Sequence, residues 1–209
     1  MEIHTVNALI ICHGDPPSEK LLRREVAGAD LVVCTDGVAS WLEGLGIVID
    51  LVVGDMDSLG EASVSAPLLD AGPHEAQHNS DSEKAILACL ERGATCITLL
   101  GALGGRLDHS LGNIALLAAY MDRARLRMMD DANLLEVVRG RRRFAVSTGA
   151  RVSLISLTDD VELVTHGLQW ELSEALELGT RGLSNRATGE QVEIDVTRGA
   201  VAVVILGDD

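Results

Sequence analysis

The first 130 residues alternate between short apolar runs and longer segments with helical periodicity. The runs are nearly continuous in apolar residues, which is typical of strands covered on both faces of a parallel sheet. They read NALIIC, ADLVVCT, IDLVVGD, TCITLLG and RLRMMD. Their alternation with helices predicts an α/β domain with a doubly wound, mainly parallel sheet and right-handed crossovers.

Polar residues mark where the predicted helices begin. Ser18 precedes the predicted helix EKLLRREVA and is a plausible N-cap. Asp81 or Ser82 fits the same role before EKAILACLERG, and Asp108 or Ser110 fits it before LGNIALLAAYMDRA.

The hydrophobic pattern changes after about residue 130. The later segments are short, often alternate apolar with polar positions, and show no helical period. We therefore predict two domains, an α/β domain over residues 1–130 and a smaller all-β sandwich over residues 131–209.

Turn signals divide the second part of the chain. Thr148-Gly149, Asp159-Asp160 and Arg198-Gly199 fit hairpin or sandwich turns. The arginine cluster at residues 139–143 is interpreted as a solvated hairpin turn, because the chain as a whole is acidic.

Composition narrows the class of protein. The net charge of -15 disfavours nucleic acid and anionic membranes as partners, although a local metal site can still bind a nucleotide. No apolar stretch approaches the ~20 residues of a membrane span, and the polar start MEIHTVN does not fit a signal peptide. The four cysteines form no CxxC pair. We expect a soluble, cytoplasmic protein with reduced thiols.

Glycine, aspartate, arginine and histidine recur directly after the predicted strands. Ligands of open α/β sheets bind at this edge. A single such loop would be an ordinary turn, but four on one edge indicate a site. The loops are His13-Gly14-Asp15, Thr35-Asp36-Gly37, Gly54 to Ser58, and Gly101 to His109.

The loop GDMDS places Asp55 and Asp57 two residues apart at a strand end. Two adjacent carboxylates repel each other unless a cation lies between them, and Mg²⁺ accepts such ligands together with phosphate oxygens. Asp57 and Ser58 also fit a helix cap, and the two roles are compatible.

The loop GALGGRLDHS combines three glycines, an arginine and a helix start. Such backbone forms an anion-binding concavity, and Arg106 offers a planar fork for phosphate oxygens. Asp108 fits a helix cap, a metal ligand or a proton acceptor, and His109 fits a phosphate ligand, a partner that orients Asp108, or a plain surface residue. The loop is neither a Walker A nor a GxGxxG motif.

Together these motifs resemble those of the thiamin pyrophosphokinase family, in the same order and over nearly the whole chain. The corresponding segments are DGVAS at 36–40, GDMDS at 54–58, SDSEKA at 80–85, GGRLDH at 104–109, GLQW at 167–170 and GLSN at 182–185.

The resemblance implies transfer of the pyrophosphoryl group of ATP to the hydroxyl of thiamine, with Mg²⁺ as cofactor and AMP as leaving group. It implies metal ligands at Asp55, Asp57, Asp81 and Asp108, and catalytic roles for Asp57, Asp81, Arg106 and Asp108. It implies nucleotide contacts from His13, Gly14, Asp36, Gly37, Gly104, Gly105, Arg106 and His109.

The resemblance also assigns the thiamine site and dimerisation to the β domain. Trp170 would stack on the charged thiazolium ring, and Ser184 and Asn185 would supply hydrogen bonds. A homodimer is implied, in which Trp170 and Ser184 reach the phosphate site of the partner. The plainer alternatives are a core position for Trp170 and an ordinary turn at Ser184-Asn185.

Two departures from the family pattern leave alternatives open. DGVAS replaces a DGGAN-like turn, and His78 stands where an aspartate is expected, so Asp81 is the one metal ligand predicted in that segment. The alternatives are a pyrophosphokinase for another heterocyclic alcohol, such as a hydroxymethylpterin, and a non-catalytic nucleotide-binding module. The number of metal ions and the general base stay open.

Overall fold

The computed structural model describes residues 5–55, 65–70 and 79–207. The chain divides into two compact units, Met1–Asp130 and Asp131–Asp209. Among the helices in these ranges, none is both long and apolar enough to cross a membrane.

The first unit is a parallel sheet with helical connections, as predicted. Its strands lie in the order β6-β5-β1-β2-β3-β4, and every neighbouring pair is parallel. In chain order the elements are β1 (Val6–Ile11), α1 (Glu19–Ala27), β2 (Leu31–Thr35), α2 (Asp36–Gly44), β3 (Leu51–Gly54), β4 (Leu68–Asp70), α3 (Asp81–Glu91), β5 (Ala94–Leu100), α4 (Leu107–Tyr120) and β6 (Arg125–Met129).

The strand order creates a topological switch point beside β1. The chain first adds β2, β3 and β4 on one side of β1, and then returns to add β5 and β6 on the other side. The connection after β1 therefore leads towards β2 and the connection after β5 leads towards β6, on opposite sides, and ligands of such sheets bind at this point of the carboxyl edge. Strand β4, with three residues, is too short for its pattern to be recognised in the sequence.

Two helix starts follow the expected capping chemistry. The Ser18 hydroxyl accepts a hydrogen bond from the Leu21 N–H at 3.2 Å, as predicted. At α3 the cap is Ser80, whose hydroxyl accepts from the Glu83 N–H at 3.3 Å. The predicted cap at Asp81 or Ser82 is wrong by one residue, because a serine was already available before them.

Helix α4 begins without a side-chain cap. Arg106 occupies the N-cap position, so the predicted capping roles of Asp108 and Ser110 are wrong. Both residues lie in the first turn of the helix. The Ser110 hydroxyl instead donates to the carbonyl oxygen of Gly104 at 3.2 Å, which ties the helix to the preceding glycine loop.

The second unit is all β, as predicted, and two long strands run through it. Strand β12 pairs with β9 along its first half, with β8 along its second half, and with β7 throughout. Apolar residues from both halves form one buried core. The strands are β7 (Asn133–Ala145), β8 (Arg151–Ser156), β9 (Val161–His166), β10 (Ala175–Leu176), β11 (Asn185–Arg186) and β12 (Gln191–Leu206).

Two turn predictions in this unit are wrong. Arg198-Gly199 lies inside β12, where the pairing register with β7 shifts and the strand bulges. The arginine cluster at 139–143 lies inside β7. It is not a turn because β12 brings acidic side chains opposite: Arg141 lies 2.7 Å from the carboxylate of Asp195.

Candidate functional site

Close packing joins the loops that follow β1 and β5 at the switch point. The Gly14 N–H donates to the carbonyl oxygen of Gly101 at 2.7 Å, and the Asp15 N–H donates to that of Leu103 at 3.0 Å. A Cβ added at Gly14 would lie 2.5 Å from both carbonyl oxygens. Only glycine fits this approach, so Gly14 holds the two loops together.

Glycines also join the ends of β1, β2 and β3. A Cβ added at Gly37 would lie 2.3 Å from Nδ1 of His13, and one added at Gly54 would lie 2.5 Å from Cγ of Asp36. The His13 ring therefore lies against Gly37, and the Asp36 carboxylate lies against Gly54. The predicted nucleotide residues of two loops thus meet the predicted metal loop along one edge.

The neighbouring ends of β2 and β3 are each followed by a carboxylate, Asp36 after β2 and Asp55 after β3. Asp36 is buried, and its Oδ1 accepts a hydrogen bond from the Gly37 N–H at 2.7 Å. Asp55 follows Gly54 directly and is exposed. Oxygen donors with this concentration of negative charge suit a hard divalent cation such as Mg²⁺.

Asp81 is the first residue of α3, and its carboxylate is engaged by a lysine. Its Oδ1 lies 2.8 Å from Nζ of Lys84, a side chain that is only 12% exposed. The neighbouring Ser82 hydroxyl donates to Sγ of Cys12, directly after β1, at 3.5 Å. The start of α3 therefore lies at the same edge of the sheet. Sequence reasoning missed Lys84, although its i,i+3 spacing from Asp81 was a usable signal.

Arg106 and Asp108 form an exposed ion pair. Nε of Arg106 lies 3.1 Å from Oδ1 of Asp108, and a second guanidinium nitrogen donates to the other carboxylate oxygen. Hydrogen bonding to Arg106 lowers the pKa of Asp108 to about 2, and the His109 N–H, 3.0 Å from Oδ1, acts in the same direction. While this pair persists, Asp108 is a weak proton acceptor at neutral pH.

The predicted metal ligands are only partly described. Asp57 lies outside the described residues, as does His78. Within the described ranges no three His, Cys, Asp or Glu side chains are grouped closely enough to hold a metal ion. Asp55, Asp81 and Asp108 follow β3 or begin α3 and α4, all at the carboxyl edge of the sheet. The four-aspartate metal site stays a prediction.

The second unit presents Trp170 on its surface. The side chain is 57% exposed, so the alternative of a core position is wrong. Buried Asn185 fixes the backbone beneath it: the Trp170 N–H donates to Oδ1 of Asn185 at 3.1 Å, and Nδ2 of Asn185 donates to the Trp170 carbonyl at 2.6 Å. The Asn185 amide is thus engaged within the fold, and its contact with a substrate stays a prediction.

Ser184 directly precedes Asn185 and lies in a constrained turn. It is exposed and has a φ of 58°, which is uncommon for a residue other than glycine. Its N–H donates to the hydroxyl of Ser153 at 3.0 Å. The turn is therefore fixed from β8 and leaves the Ser184 side chain at the surface near Trp170.

Two family models match the chain. The model described as thiamin pyrophosphokinase, catalytic domain, matches residues 22–129, and the one described as thiamin pyrophosphokinase, vitamin B1 binding domain, matches residues 141–201. Thiamine pyrophosphokinase 1 of Arabidopsis thaliana is 29% identical over 167 residues, which cover 70% of this chain. The match spans 61% of that plant relative's length.

Solved structures share the fold over the whole chain. Thiamine pyrophosphokinase from Bacillus subtilis superposes with a TM-score of 0.82 at 22% identity, covering 97% of this chain and 100% of that chain. Thiamin pyrophosphokinase from Geobacillus thermodenitrificans gives 0.81 at 25% identity, with 98% and 99% covered. Thiamin pyrophosphokinase from Candida albicans gives 0.80 at 18% identity, with 97% and 90% covered.

Proposed function

Because the chain belongs to the thiamin pyrophosphokinase family, we propose that it transfers the pyrophosphoryl group of ATP to thiamine, forming thiamine diphosphate and AMP. One observation carries the proposal. The catalytic-domain model falls within the first compact unit, and the vitamin B1 binding model falls within the second. Both halves of the expected enzyme are therefore represented in the chain.

The proposed reaction is a displacement at the β-phosphorus of ATP. The hydroxyl oxygen of thiamine forms a bond to that phosphorus, and the bond from the phosphorus to the oxygen that bridges it to the α-phosphorus breaks. AMP leaves with the bridging oxygen, and the hydroxyl proton passes to a carboxylate or to water. Such transfers depend chiefly on positioning and on neutralisation of charge.

In this proposal the first unit holds the triphosphate. Backbone N–H groups of the glycine-rich loops, together with His13 and His109, would contact the nucleotide, and Arg106 would donate to phosphate oxygens. Arg106 is engaged by Asp108 in the structure. Phosphate binding would therefore exchange one anionic partner of Arg106 for another and release the Asp108 carboxylate.

The proposed cofactor is Mg²⁺, held by Asp55, Asp57, Asp81 and Asp108. The donor set supports this proposal, since Asp36 and Asp55 already bring two carboxylates to adjacent strand ends around Gly54. When bound, the ion would neutralise part of the negative charge of the triphosphate.

In the second unit, Trp170 would receive the cationic thiazolium ring. The ring of Trp170 is exposed and its backbone is fixed by Asn185, which supports stacking on a preformed surface. Ser184 would add a hydrogen bond. We further propose that the protein acts in the cytoplasm as a homodimer.

The test is AMP release by the purified full chain, measured by chromatography with ATP and Mg²⁺. We expect AMP and thiamine diphosphate to form only when thiamine is added. Excess chelator should abolish the formation of both products. A hydroxymethylpterin serves as the control acceptor. Thiamine-independent AMP, or ATP binding without AMP under all conditions, would disprove the proposed function.

A further inference from the structure

Asp15 lies at the switch point, in the loop after β1, and the family resemblance assigns it no role. Its backbone N–H is bonded to Leu103, and the preceding Gly14 is bonded to Gly101. Residue 15 is therefore fixed to the glycine-rich loop after β5 through main-chain contacts alone, whatever side chain it carries.

The Asp15 carboxylate lies directly against that loop. A Cβ added at Gly104 would lie 1.9 Å from Oδ2 of Asp15, 2.1 Å from Cγ and 2.7 Å from Oδ1. Gly104 also has a φ of 81°, and its carbonyl oxygen accepts a hydrogen bond from the Ser110 hydroxyl. Asp15 is an exposed residue whose carboxylate lies in direct contact with the glycine-rich loop.

No cation neutralises Asp15 within residues 5–55, 65–70 and 79–207, where its carboxylate forms neither a hydrogen bond nor an ion pair. Arg106, two residues from Gly104, is turned towards Asp108. A loop suited to phosphate oxygens therefore has a negative charge packed on it, and this charge opposes the binding of a bare polyanion.

We propose that Asp15 makes the glycine-rich loop selective for a nucleotide that carries a divalent cation over the free nucleotide. This inference rests on the proposed function, because it requires ATP to bind at that loop. Free ATP would be repelled by Asp15, whereas a divalent cation cancels about half of the charge of the triphosphate and therefore about half of that repulsion. The residue is a specificity determinant and takes no part in the transfer step.

The test is calorimetric binding of ATP to the full chain, once in excess chelator and once in saturating Mg²⁺. Removing the charge with Asp15→Asn should tighten binding of free ATP about three- to tenfold, as expected for one charge within several ångströms of a polyphosphate. With Mg²⁺ the change should be about the square root of that factor, roughly two- to threefold, because half of the nucleotide charge is cancelled. The matched control is Asp159→Asn, which makes the same change in net charge at an exposed turn of the second unit.

Asp15→Ser, with the shorter side chain, should behave as Asp15→Asn does. Equal effects with and without Mg²⁺, or no effect in either condition, would overturn the proposal. So would loss of fold in both variants by circular dichroism, because the carboxylate would then be a structural requirement. Failure of the wild-type chain to bind ATP even with Mg²⁺ would instead refute the proposed function.

Discussion

The Arg106–Asp108 ion pair joins two predicted site residues to each other, and it fixes the charge of Asp108. Because Arg106 lowers the pKa of Asp108 to about 2, the carboxylate stays ionised down to strongly acidic pH. In Arg106→Gln the pKa should rise towards the ordinary value of about 4. Carbon-13 NMR titration of the carboxyl group measures this directly. The control Arg181→Gln, in the second unit, should leave the pKa of Asp108 unchanged. An unchanged pKa of Asp108 in Arg106→Gln would contradict the ion pair.

Substitutions of Trp170 and Asn185 should differ in their effects on thiamine binding and on the stability of the fold. Trp170→Ala removes an exposed ring, so it should raise the KM for thiamine about five- to thirtyfold, more than the KM for ATP. The free energy of unfolding should change by less than about 0.5 kcal/mol.

Asn185→Ala leaves two backbone groups of Trp170 without their hydrogen-bond partner, so it should lower the free energy of unfolding by about 1–3 kcal/mol in addition to its effect on binding. Steady-state kinetics measure the KM values, and urea unfolding measures the stability of each variant. An equal rise in the KM for thiamine and the KM for ATP in Trp170→Ala would rule out stacking.

The family resemblance predicted Trp170 as a candidate, whereas the two hydrogen bonds between Asn185 and the Trp170 backbone could not be predicted. These bonds join residues 15 positions apart and depend on how β11 pairs with β8. Asp15 was passed over for a similar reason. Only the folded loop brings its carboxylate against Gly104, 89 positions along the chain.

At the scale of elements, close contacts between glycines and neighbouring loops hold the edge of the sheet together. Gly14→Ala would place a Cβ 2.5 Å from two backbone oxygens, and we expect a loss of about 1–3 kcal/mol in urea unfolding together with weaker ATP binding. The control is Gly112→Ala inside α4, where nothing lies within 4 Å of the added Cβ. This control should stabilise the protein by up to about 1 kcal/mol. A neutral Gly14→Ala would show that the loops can separate freely.

Strands β1, β2, β3 and β5 were predictable because they are largely buried and nearly continuous in apolar residues. Arg198-Gly199 was misassigned because a glycine bulge inside a long strand has the same sequence signal as a turn. The start of α4 was misassigned because Gly104 and Gly105, both at positive φ, lead the chain into the helix without a side-chain cap.

The whole molecule keeps most of its thiols inside. Burial raises the pKa of Cys12 to about 11 and those of Cys34 and Cys89 to about 12, and Cys96 is partly exposed. A disulfide reagent at pH 8 should label at most one thiol quickly in the folded protein and all four after denaturation. Two or more fast thiols would contradict the packing.

The same burial makes stability depend on pH. The three thiols stay protonated in the folded protein, whereas the unfolded chain releases those protons above the ordinary pKa of 9.0. The free energy of unfolding should therefore fall as the pH rises from about 9 towards 12.

The change of hydrophobic pattern near residue 130 coincides with the boundary between the units, but the assembly of subunits has no comparable signal in one sequence.

Strand β12 forms hydrogen bonds with β7, β8 and β9, all of which precede it in the chain. During synthesis those three strands leave the ribosome with a long interval before their common neighbour is made. Until then their edges are open to other nascent chains. Strand β1 waits in the same way for β5, so open strand edges accompany the synthesis of both units.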